Sequence, residues 1–479
     1  MNQQQAFKDR ISKALHNDQL RHNFRIAMDG IRANRAKQFD DDDALQALRD
    51  QARMIRSNSL ANQAELLEKL EQKLTENGIQ VHWAETTEQA NQIIGDLLQK
   101  ENVRSVVKGK SMVSEETGLN HYLEKLDIEV TESDLGEYII QMAHEPPSHI
   151  VAPAIHKNRV EVAQLFQKFH PEQPYTENIN ELTETARQVL RNKFANADAG
   201  ISGVNFAVAE TGTLCLVENE GNGRLSTTAP RIHIAITGIE KVVEKLSDVP
   251  PLLDILTKSA TGQPITTYFN MISHPRQPGE QDGPQQVHLV LMDNGRSHIH
   301  LNDELLDTLR CIRCGACINH CPVYVHVGGH AYGTVYPGPI GLALEPQRLG
   351  IQHIGTVTSA CTMCGACGEV CPVRIPLPKL INHLRADAVN YGKQLKEEDP
   401  RGKGSLRKPG EALAWKIWQQ LYGSPLLYKG FRWLATRLRR LSPAIPGWSK
   451  YRSSPRPAPK SLHELVKLKS QQHKGLHYE

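Results

Sequence analysis

Eight of the nine cysteines in the chain lie in two groups of four, within a stretch of 61 residues. Each group has the spacing C-x₂-C-x₂-C-x₃-C and is followed directly by proline. Three thiolates spaced in this way occupy three iron corners of one [4Fe–4S] cube, and in two-cluster ferredoxins the fourth cysteine ligates the other cluster. The spacing therefore predicts two [4Fe–4S] clusters with exchanged fourth ligands. The first cluster would use Cys311, Cys314, Cys317 and Cys371, and the second would use Cys361, Cys364, Cys367 and Cys321.

Zinc and disulfide bonds are the other two chemistries that clustered cysteines suggest. A tetrahedral zinc site does not need three thiolates from one short loop. Disulfides conflict with a reducing cytoplasm, which we predict because residues 1–15 are polar and lack the apolar core of a signal peptide. With a thiolate on every iron corner, the clusters would transfer electrons and would not bind substrate.

The elements around these cysteines follow from the pattern of apolar residues. Residues 1–77 are polar with leucines at helical spacing, which predicts a helical N-terminal region. Residues 78–298 alternate strand-like and helix-like runs, which predicts an α/β domain with a largely parallel sheet. A helix over LNDELLDTLR would lead into a helical ferredoxin domain, residues 299–392, and residues 393–479 form a tail. We expect Pro322 and Pro372 to end the local helices.

The α/β domain offers two candidate anion sites. One is Lys108-Gly109-Lys110-Ser111, which follows a strand and opens a helix, so two ammonium groups and backbone N–H groups could meet a carboxylate or phosphate. It is not a phosphate-binding P-loop, because Arg104 stands where that motif has its first glycine. The residues of the second candidate are Glu210, Thr211, Gly212 and Thr213.

The second candidate has two interpretations that the sequence leaves open. A carboxylate beside two hydroxyl groups at a strand end suits substrate binding or catalysis. Alternatively, Gly212 serves a hairpin turn and Glu210 is solvated.

A resemblance to a known family covers residues 60 to 440. The runs VVKGKSMVSEE, PSHIVAPAIHKNR, AETGTLCLVENEGNGR, FNMISHPR and VHLVLMDNGRS, followed by the two cysteine groups, resemble the lactate utilization protein B family. The resemblance implies the iron–sulfur subunit of a bacterial system that oxidises L-lactate. It also implies an α/β domain similar to the CoA-transferase and sugar-phosphate-isomerase fold, joined to an all-α ferredoxin-type domain with two clusters. The implied partners are a cysteine-rich-domain subunit and a small subunit that carries only the α/β domain.

The tail is strongly basic although the net charge of the whole chain is only +3. Residues 391–479 carry 19 Lys or Arg and 6 Asp or Glu, and aromatic residues interleave with the basic ones at helical spacing. Docking on an acidic partner, or on the acidic first 390 residues of the chain, is the first interpretation. Peripheral contact with an anionic membrane is the second, since no apolar stretch reaches the ~20 residues that span a bilayer. Nucleic acid is disfavoured because no recognised binding fold accompanies the basic residues.

Three functions are consistent with these patterns. The leading hypothesis is an electron-carrying subunit of an L-lactate dehydrogenase complex. The alternative is a self-contained oxidoreductase that binds a small organic acid in the α/β domain. A third reading is an assembly scaffold with structural clusters. A Rossmann fingerprint and an obvious flavin site are absent from the sequence, so the first electron acceptor is unidentified.

Overall fold

The fold is taken from a computed structural model, which describes residues 3–394, 409–439 and 458–474. The chain divides into two compact units, Met1–Ser405 and Leu406–Glu479. The first unit contains both cysteine groups.

Ten strands lie in the first unit and form two sheets. In chain order they are β1 (Gln80–Ala84), β2 (Ser105–Lys108), β3 (Glu129–Glu132), β4 (Ala199–Gly203), β5 (Phe206–Val208), β6 (Thr213–Glu218), β7 (Ile232–Gly238), β8 (Val242–Val243), β9 (Tyr268–Ile272) and β10 (Gln286–Met292). The larger sheet has the order β1-β10-β7-β4-β2-β3, and all its pairs are parallel. The smaller sheet has the order β8-β5-β6-β9.

The α-helices of the first unit surround these sheets and continue beyond them. They are α1 (Gln3–Leu15), α2 (Asp18–Lys37), α3 (Asp42–Ala61), α4 (Gln63–Glu76), α5 (Thr87–Lys100), α6 (Met112–Thr117), α7 (Leu119–Glu124), α8 (Leu135–Ala143), α9 (Arg159–Phe169), α10 (Ile179–Asn196), α11 (Asn222–Thr228), α12 (Val249–Ala260), α13 (Arg296–His300), α14 (Ala316–Asn319), α15 (Pro322–Val327), α16 (Gly338–Arg348), α17 (Ile351–Ile354), α18 (Ala366–Glu369) and α19 (Leu377–Gln394). The described residues after Met292 contain helices and no strand.

The parallel sheet is covered on both faces, as its apolar strands require. One core joins the inner strands to α5, through Ile94 and Leu98, and to α7, through Leu119. Another joins Leu289 of β10 to Leu70 of α4. These two cores hold the sheet between helices. Because all its strand pairs are parallel, the carboxyl ends of the strands lie at the same edge.

The N-terminal helices pack on the cysteine-containing segment, far away in sequence. Phe24 and Met28 of α2 are fully buried in the same core as Tyr324 of α15, and the rings of Phe24 and Tyr324 meet edge to face with centroids 5.3 Å apart. The distant N-terminal helices therefore form part of the wall around the cysteines.

The segment before the first cysteine differs from the sequence prediction. The predicted helix over LNDELLDTLR is a short 3₁₀ turn, Leu306–Arg310, which brings the chain into Cys311. This helical segment ends at Arg310, because the next residue, Cys311, has an extended backbone with φ −59° and ψ 122°.

The second unit has three helices among its described residues: α20 (Pro409–Gly423), α21 (Pro425–Arg437) and α22 (Leu462–Lys474). Trp418 stacks on Tyr422 with ring centroids 4.4 Å apart. Apolar side chains nevertheless stay exposed, including Trp415, Leu426 and Trp433. No helix in the described parts of the chain is both long and apolar enough to cross a membrane.

Candidate metal centre and the adjoining cavity

The two cysteine loops repeat one backbone conformation. Arg313 and Met363, each placed between the first two cysteines of its group, have positive φ angles of 61° and 57°. Gly315 and Gly365, each placed after the second cysteine, have φ angles of 76° and 88°. This left-handed geometry is costly for non-glycine residues, so its occurrence at Arg313 and Met363 indicates that the loop shape is functionally constrained.

The repeated loops direct backbone N–H groups at the cysteine sulfurs. The amide of Arg313 lies 3.4 Å from Cys311 Sγ, and the amide of Met363 lies 3.3 Å from Cys361 Sγ. N–H groups aimed at thiolate sulfurs stabilise the negative charge of a bound cluster and tune its potential.

The four thiols of the first cysteine neighbourhood come from both loops. Burial raises the pKa of Cys317 well above its ordinary value, and the nearby thiols of Cys311, Cys314 and Cys371, followed by the smaller effect of Cys367, raise it further. Burial likewise raises the pKa of Cys371 to about 11, with Cys311 contributing. Cys371 therefore lies beside the first group, 50 residues or more from it in sequence.

The second neighbourhood is the counterpart of the first. Burial raises the pKa of Cys367 to about 12, and the thiols of Cys361, Cys321 and Cys364 raise it further. Six of the eight cysteines are buried, whereas Cys361 is half-buried and Cys364 is exposed. Each neighbourhood offers four thiols, which fits the ligand requirement of a [4Fe–4S] cluster.

The short helices of the two groups, α14 and α18, end at Asn319 and Glu369, shortly before Pro322 and Pro372, in line with the sequence expectation. Pro322 also occupies the first position of α15, so it begins the next helix, with Cys321 as the preceding cap residue. This placement suits proline because its missing N–H is one that a helix start leaves unpaired. No helix starts at Pro372, and the next helix, α19, begins at Leu377.

Arginines from the N-terminal helices hold the backbone of both cysteine loops. Arg49 of α3 is buried and donates from Nε to the carbonyl of Cys371 at 3.0 Å and from a terminal nitrogen to Gly368 at 3.3 Å. Arg32 of α2 donates to the carbonyl of Asn319 at 2.7 Å. Sequence reasoning missed these residues because nothing local connects helices near residue 40 to cysteines near residue 370.

A cavity of about 560 Å³ separates the parallel sheet from the first cysteine loop. Its wall includes residues that follow the carboxyl ends of four sheet strands: Lys110 after β2, Asp134 after β3, Asn205 after β4 and Lys241 after β7. Ligands of open parallel sheets bind at this edge. Cys314 also lines the cavity, so the cavity reaches one of the predicted cluster ligands.

The structure divides the first candidate anion site between the cavity and the protein interior. Lys110 and Ser111 line the cavity, and Lys110 Nζ lies 2.8 Å from the carbonyl of Val151 and 3.4 Å from Asp134. Lys108 does not line it, because its side chain is fully buried and its Nζ lies 2.8 Å from Glu132. Burial lowers the pKa of Lys108, but Glu132 and other carboxylates outweigh burial, and the pKa lies above its ordinary value.

The second candidate anion site lies in the hairpin between β5 and β6, away from the cavity. Glu210 accepts a hydrogen bond from the backbone of Leu246 at 3.0 Å, and Thr211 Oγ1 lies 2.8 Å from Thr213 Oγ1. Gly212 has φ 63°, and a β-carbon there would come within 2.8 Å of the end of α4. This geometry matches the hairpin-turn interpretation, and none of the four residues lines the cavity.

A buried charge network lies beside the cavity, and no sequence motif indicates it. Glu240 pairs with Arg296 at 2.6 Å and with Arg313 at 3.3 Å. Burial raises the pKa of Glu240, but Arg296 and Arg313 outweigh it and lower that pKa to about 2. Arg296 also pairs with Glu116 at 2.7 Å. Separately spaced residues of this kind carry no motif, and only the fold assembles them.

A third group of polar residues, Glu145, His156 and His330, has metal-ligand chemistry but is already internally satisfied. Glu145 bonds His156 through one oxygen and Lys157 through the other, each at 2.6 Å. His330 Nε2 lies 2.7 Å from the carbonyl of Pro146. The lysine supplies the positive charge that a metal ion would bring, so we assign this group to packing.

The fold and the cysteines define a class of protein in which an α/β domain with a parallel sheet is joined to a 4Fe–4S dicluster domain. Family models agree with this division: the LUD domain matches residues 67–292 and the 4Fe-4S dicluster domain matches residues 307–375. A third model, described as lactate utilisation protein B, C-terminal, matches residues 383–471.

Three relatives are similar to most of the chain. An uncharacterized electron transport protein of Escherichia coli, YkgF, is 45% identical over 82% of this chain and 82% of its own. Lactate utilization protein B of Bacillus velezensis is 42% identical over 89% of this chain and 87% of its own, and that of Bacillus subtilis is 43% identical over 80% of each. The chain belongs to the lactate utilization protein B family.

Proposed function

We propose that this chain is the iron–sulfur electron-transfer subunit of a complex that oxidises L-lactate to pyruvate. Membership of the family and the 4Fe–4S dicluster domain support an electron-transfer role in lactate utilization. The observation that carries the finer proposal is the grouping of eight thiols into two sets of four, each set drawn from both loops. A [4Fe–4S] cluster accepts and donates one electron at a time, so two clusters form a short path.

The proposed ligand sets are those that the cysteine spacing predicts. Cys311, Cys314, Cys317 and Cys371 would hold cluster 1, and Cys361, Cys364, Cys367 and Cys321 would hold cluster 2. The buried position of cluster 1 and the exposure of Cys364 beside cluster 2 support a direction of flow. Electrons would enter near the cavity at cluster 1 and leave to an acceptor through the exposed side of cluster 2.

The proposed partners are a cysteine-rich-domain subunit and a small α/β-domain subunit of the same lactate utilization system. The basic second unit, with its exposed tryptophans, would dock on an acidic partner or lie on an anionic membrane surface. We place the protein in the cytoplasm, with membrane association through this unit. We also propose that the α/β domain has a fold similar to that of CoA-transferases and that the cluster domain is all-α.

A second candidate function is a self-contained oxidoreductase. The cavity supports it, because residues at the binding edge of the sheet and a predicted cluster ligand line the same cavity. In that case Lys110 and Ser111 would contact the organic acid. The sequence also predicts substrate binding for Lys108, Glu210, Thr211, Gly212 and Thr213, but these residues do not line the cavity and would only shape the domain around it.

Anaerobic reduction by L-lactate separates these functions. The isolated chain, purified without oxygen and assayed for iron and sulfide, is mixed with L-lactate, and its visible and electron paramagnetic resonance spectra are followed. We expect about eight irons per chain and reduction only after the two partner subunits are added. Reduction of the isolated chain would favour the self-contained enzyme, and clusters that no combination reduces would contradict both.

A further inference from the structure

Lys241 is a buried cation that has no hydrogen bond and no ion pair with the described residues. It follows β7, is 6% exposed, and lines the cavity. Its neighbour in sequence, Glu240, directs its carboxylate to Arg296 and Arg313, so Glu240 and the thiol of Cys311 act on the ammonium only from beyond ion-pair distance. Burying a charge without a bonded partner is costly, so an anion bound beside the ammonium would reduce that cost.

Arg313 lines the same cavity near Lys241 and adds a second positive charge there. Its guanidinium lies over the ring of Tyr336, 4.6 Å from the centroid, and only one terminal nitrogen is paired with Glu240. An arginine has five N–H donors in a rigid plane, so donors remain for a second anionic group. Cys314, the next residue, also lines the cavity.

Three carboxylates also line the cavity: Asp134, Glu218 and Glu220. Glu218 accepts hydrogen bonds from the backbone amides of Gly223 and Arg224, and Asp134 lies 3.4 Å from Lys110 Nζ. Because Lys110 is already paired with Asp134, a small anion is expected beside the other two cations that line the cavity, Lys241 and Arg313.

We propose that Lys241 and Arg313 bind the carboxylate of a small 2-hydroxy or 2-oxo acid, directly beside the Cys314 ligand of cluster 1. This inference rests on the proposed function and names the place in this chain where its substrate sits. The cavity exceeds the volume of a three-carbon acid, so the distribution of charge, and not the shape of the wall, selects the position of the acid. Lys110 and Ser111 lie on the same cavity and would contact the remainder of the ligand.

Binding of oxamate, a redox-inert 2-oxo acid analogue, tests the site. The anaerobically purified full-length holoprotein is titrated by isothermal calorimetry, together with Lys241→Met, Lys241→Arg and Lys245→Met. Lys245 is half-exposed, pairs with Glu244 and lies outside the cavity, so it is the matched control. We expect Lys241→Met to weaken oxamate binding about tenfold or more, Lys241→Arg to restore most of it, and Lys245→Met to bind as the parent does.

A spectroscopic readout distinguishes a binding residue from a residue that only neutralises the cluster. Oxamate should shift the electron paramagnetic resonance signal of dithionite-reduced cluster 1 in the parent and in Lys245→Met, and should not shift it in Lys241→Met with unchanged iron content. Equal oxamate affinity in the parent and Lys241→Met overturns the proposal. So does an oxamate-independent change of the signal in Lys241→Met, which would make Lys241 a counter-ion of the cluster.

The same samples separate failure of this inference from failure of the proposed function. If oxamate does not bind, but L-lactate reduces the clusters in the presence of partners, the site is wrong and the function stands. If oxamate binds through Lys241, but lactate never reduces the clusters, the site stands and the function is wrong.

Discussion

At the scale of single residues, the protein buries titratable groups in two different ways. Around the cavity, Glu240, Arg296 and Glu116 neutralise one another within bonding distance. Within the parallel sheet, His233 is fully buried, its Nε2 lies 2.8 Å from Ser202 Oγ, and its Nδ1 has no partner. The first arrangement keeps charge in the interior, whereas the second holds a side chain neutral.

His233 should make stability depend on pH. Burial, and after it His288, lowers its pKa to about 3, against about 6.5 in the unfolded chain. The stabilisation is therefore complete above about pH 6.5 and is lost as the pH falls toward 3, with about 2 kcal/mol lost at pH 5. Urea unfolding followed by circular dichroism at pH 7.5 and 5.0 should show a smaller acid-induced loss in His233→Asn than in the parent. Equal losses would show that His233 is not held neutral.

The exchange of the fourth ligands is testable one cysteine at a time. Because Cys371 lies beside the first group, Cys371→Ser should perturb the same cluster as Cys314→Ser. Cys364→Ser should perturb the other cluster. Electron paramagnetic resonance of the reduced variants resolves the two signals, and a Cys371→Ser spectrum that matches Cys364→Ser would mean that each loop holds its own cluster.

At the scale of elements, the first three helices act as a clamp on the cysteine loops. Arg49 of α3 donates to the carbonyl of Cys371, the fourth cysteine of the second group, and to that of Gly368 before it. Arg56 of α3 is fully buried and donates to the carbonyls of Val242 and Leu309. One helix therefore ties the cysteine segment to β8 of the smaller sheet.

Arg49→Met should loosen this clamp. The substitution keeps the apolar stem but leaves the carbonyls of Cys371 and Gly368 without their donors, at a cost of about 1 to 3 kcal/mol. We expect a lower melting temperature and faster release of iron to a chelator. Arg53→Met, on the exposed face of the same helix, is the control and should behave as the parent. If Arg49→Met and Arg53→Met release iron at the same rate, α3 does not hold the cysteine loops through Arg49.

At the scale of the whole molecule, the second unit is separable from the buried cores. None of the four apolar cores of the described chain includes a residue beyond Leu384. The helices of the second unit expose apolar and basic side chains together, a surface that suits docking and contributes little to a core.

Removal of residues 395–479 should leave the cluster-binding unit intact. We expect unchanged iron and sulfide content and an unchanged melting temperature, because the cores end before the deletion. Copurification with the partner subunits, or flotation with anionic vesicles, should be lost. The charge reversal Lys429→Glu with Arg432→Glu in the full chain should weaken the same association. Loss of iron on deletion would place the second unit in the cluster-binding fold.

Local sequence patterns were sufficient to predict most helices and strands and the candidate cluster ligands. Alternating strand and helix runs predicted the parallel sheet because each element buries its apolar residues with its own period. One element was predicted less well: the approach to Cys311, where a 3₁₀ turn replaces the predicted helix. Here the environment of the segment decided its conformation.

By itself, the sequence determined the cysteine chemistry, the class of the fold and the family, because each of these depends on residue types at short spacing. The eight cysteines remain the basis of the proposed clusters. Only the tertiary structure decided that Lys110 lines a cavity while Lys108 is buried against Glu132, and that Lys241, Arg313 and Cys314 line that same cavity. These residues are far apart in sequence and become neighbours because the strands of the parallel sheet end at one edge. Their proximity therefore cannot be predicted from local sequence spacing.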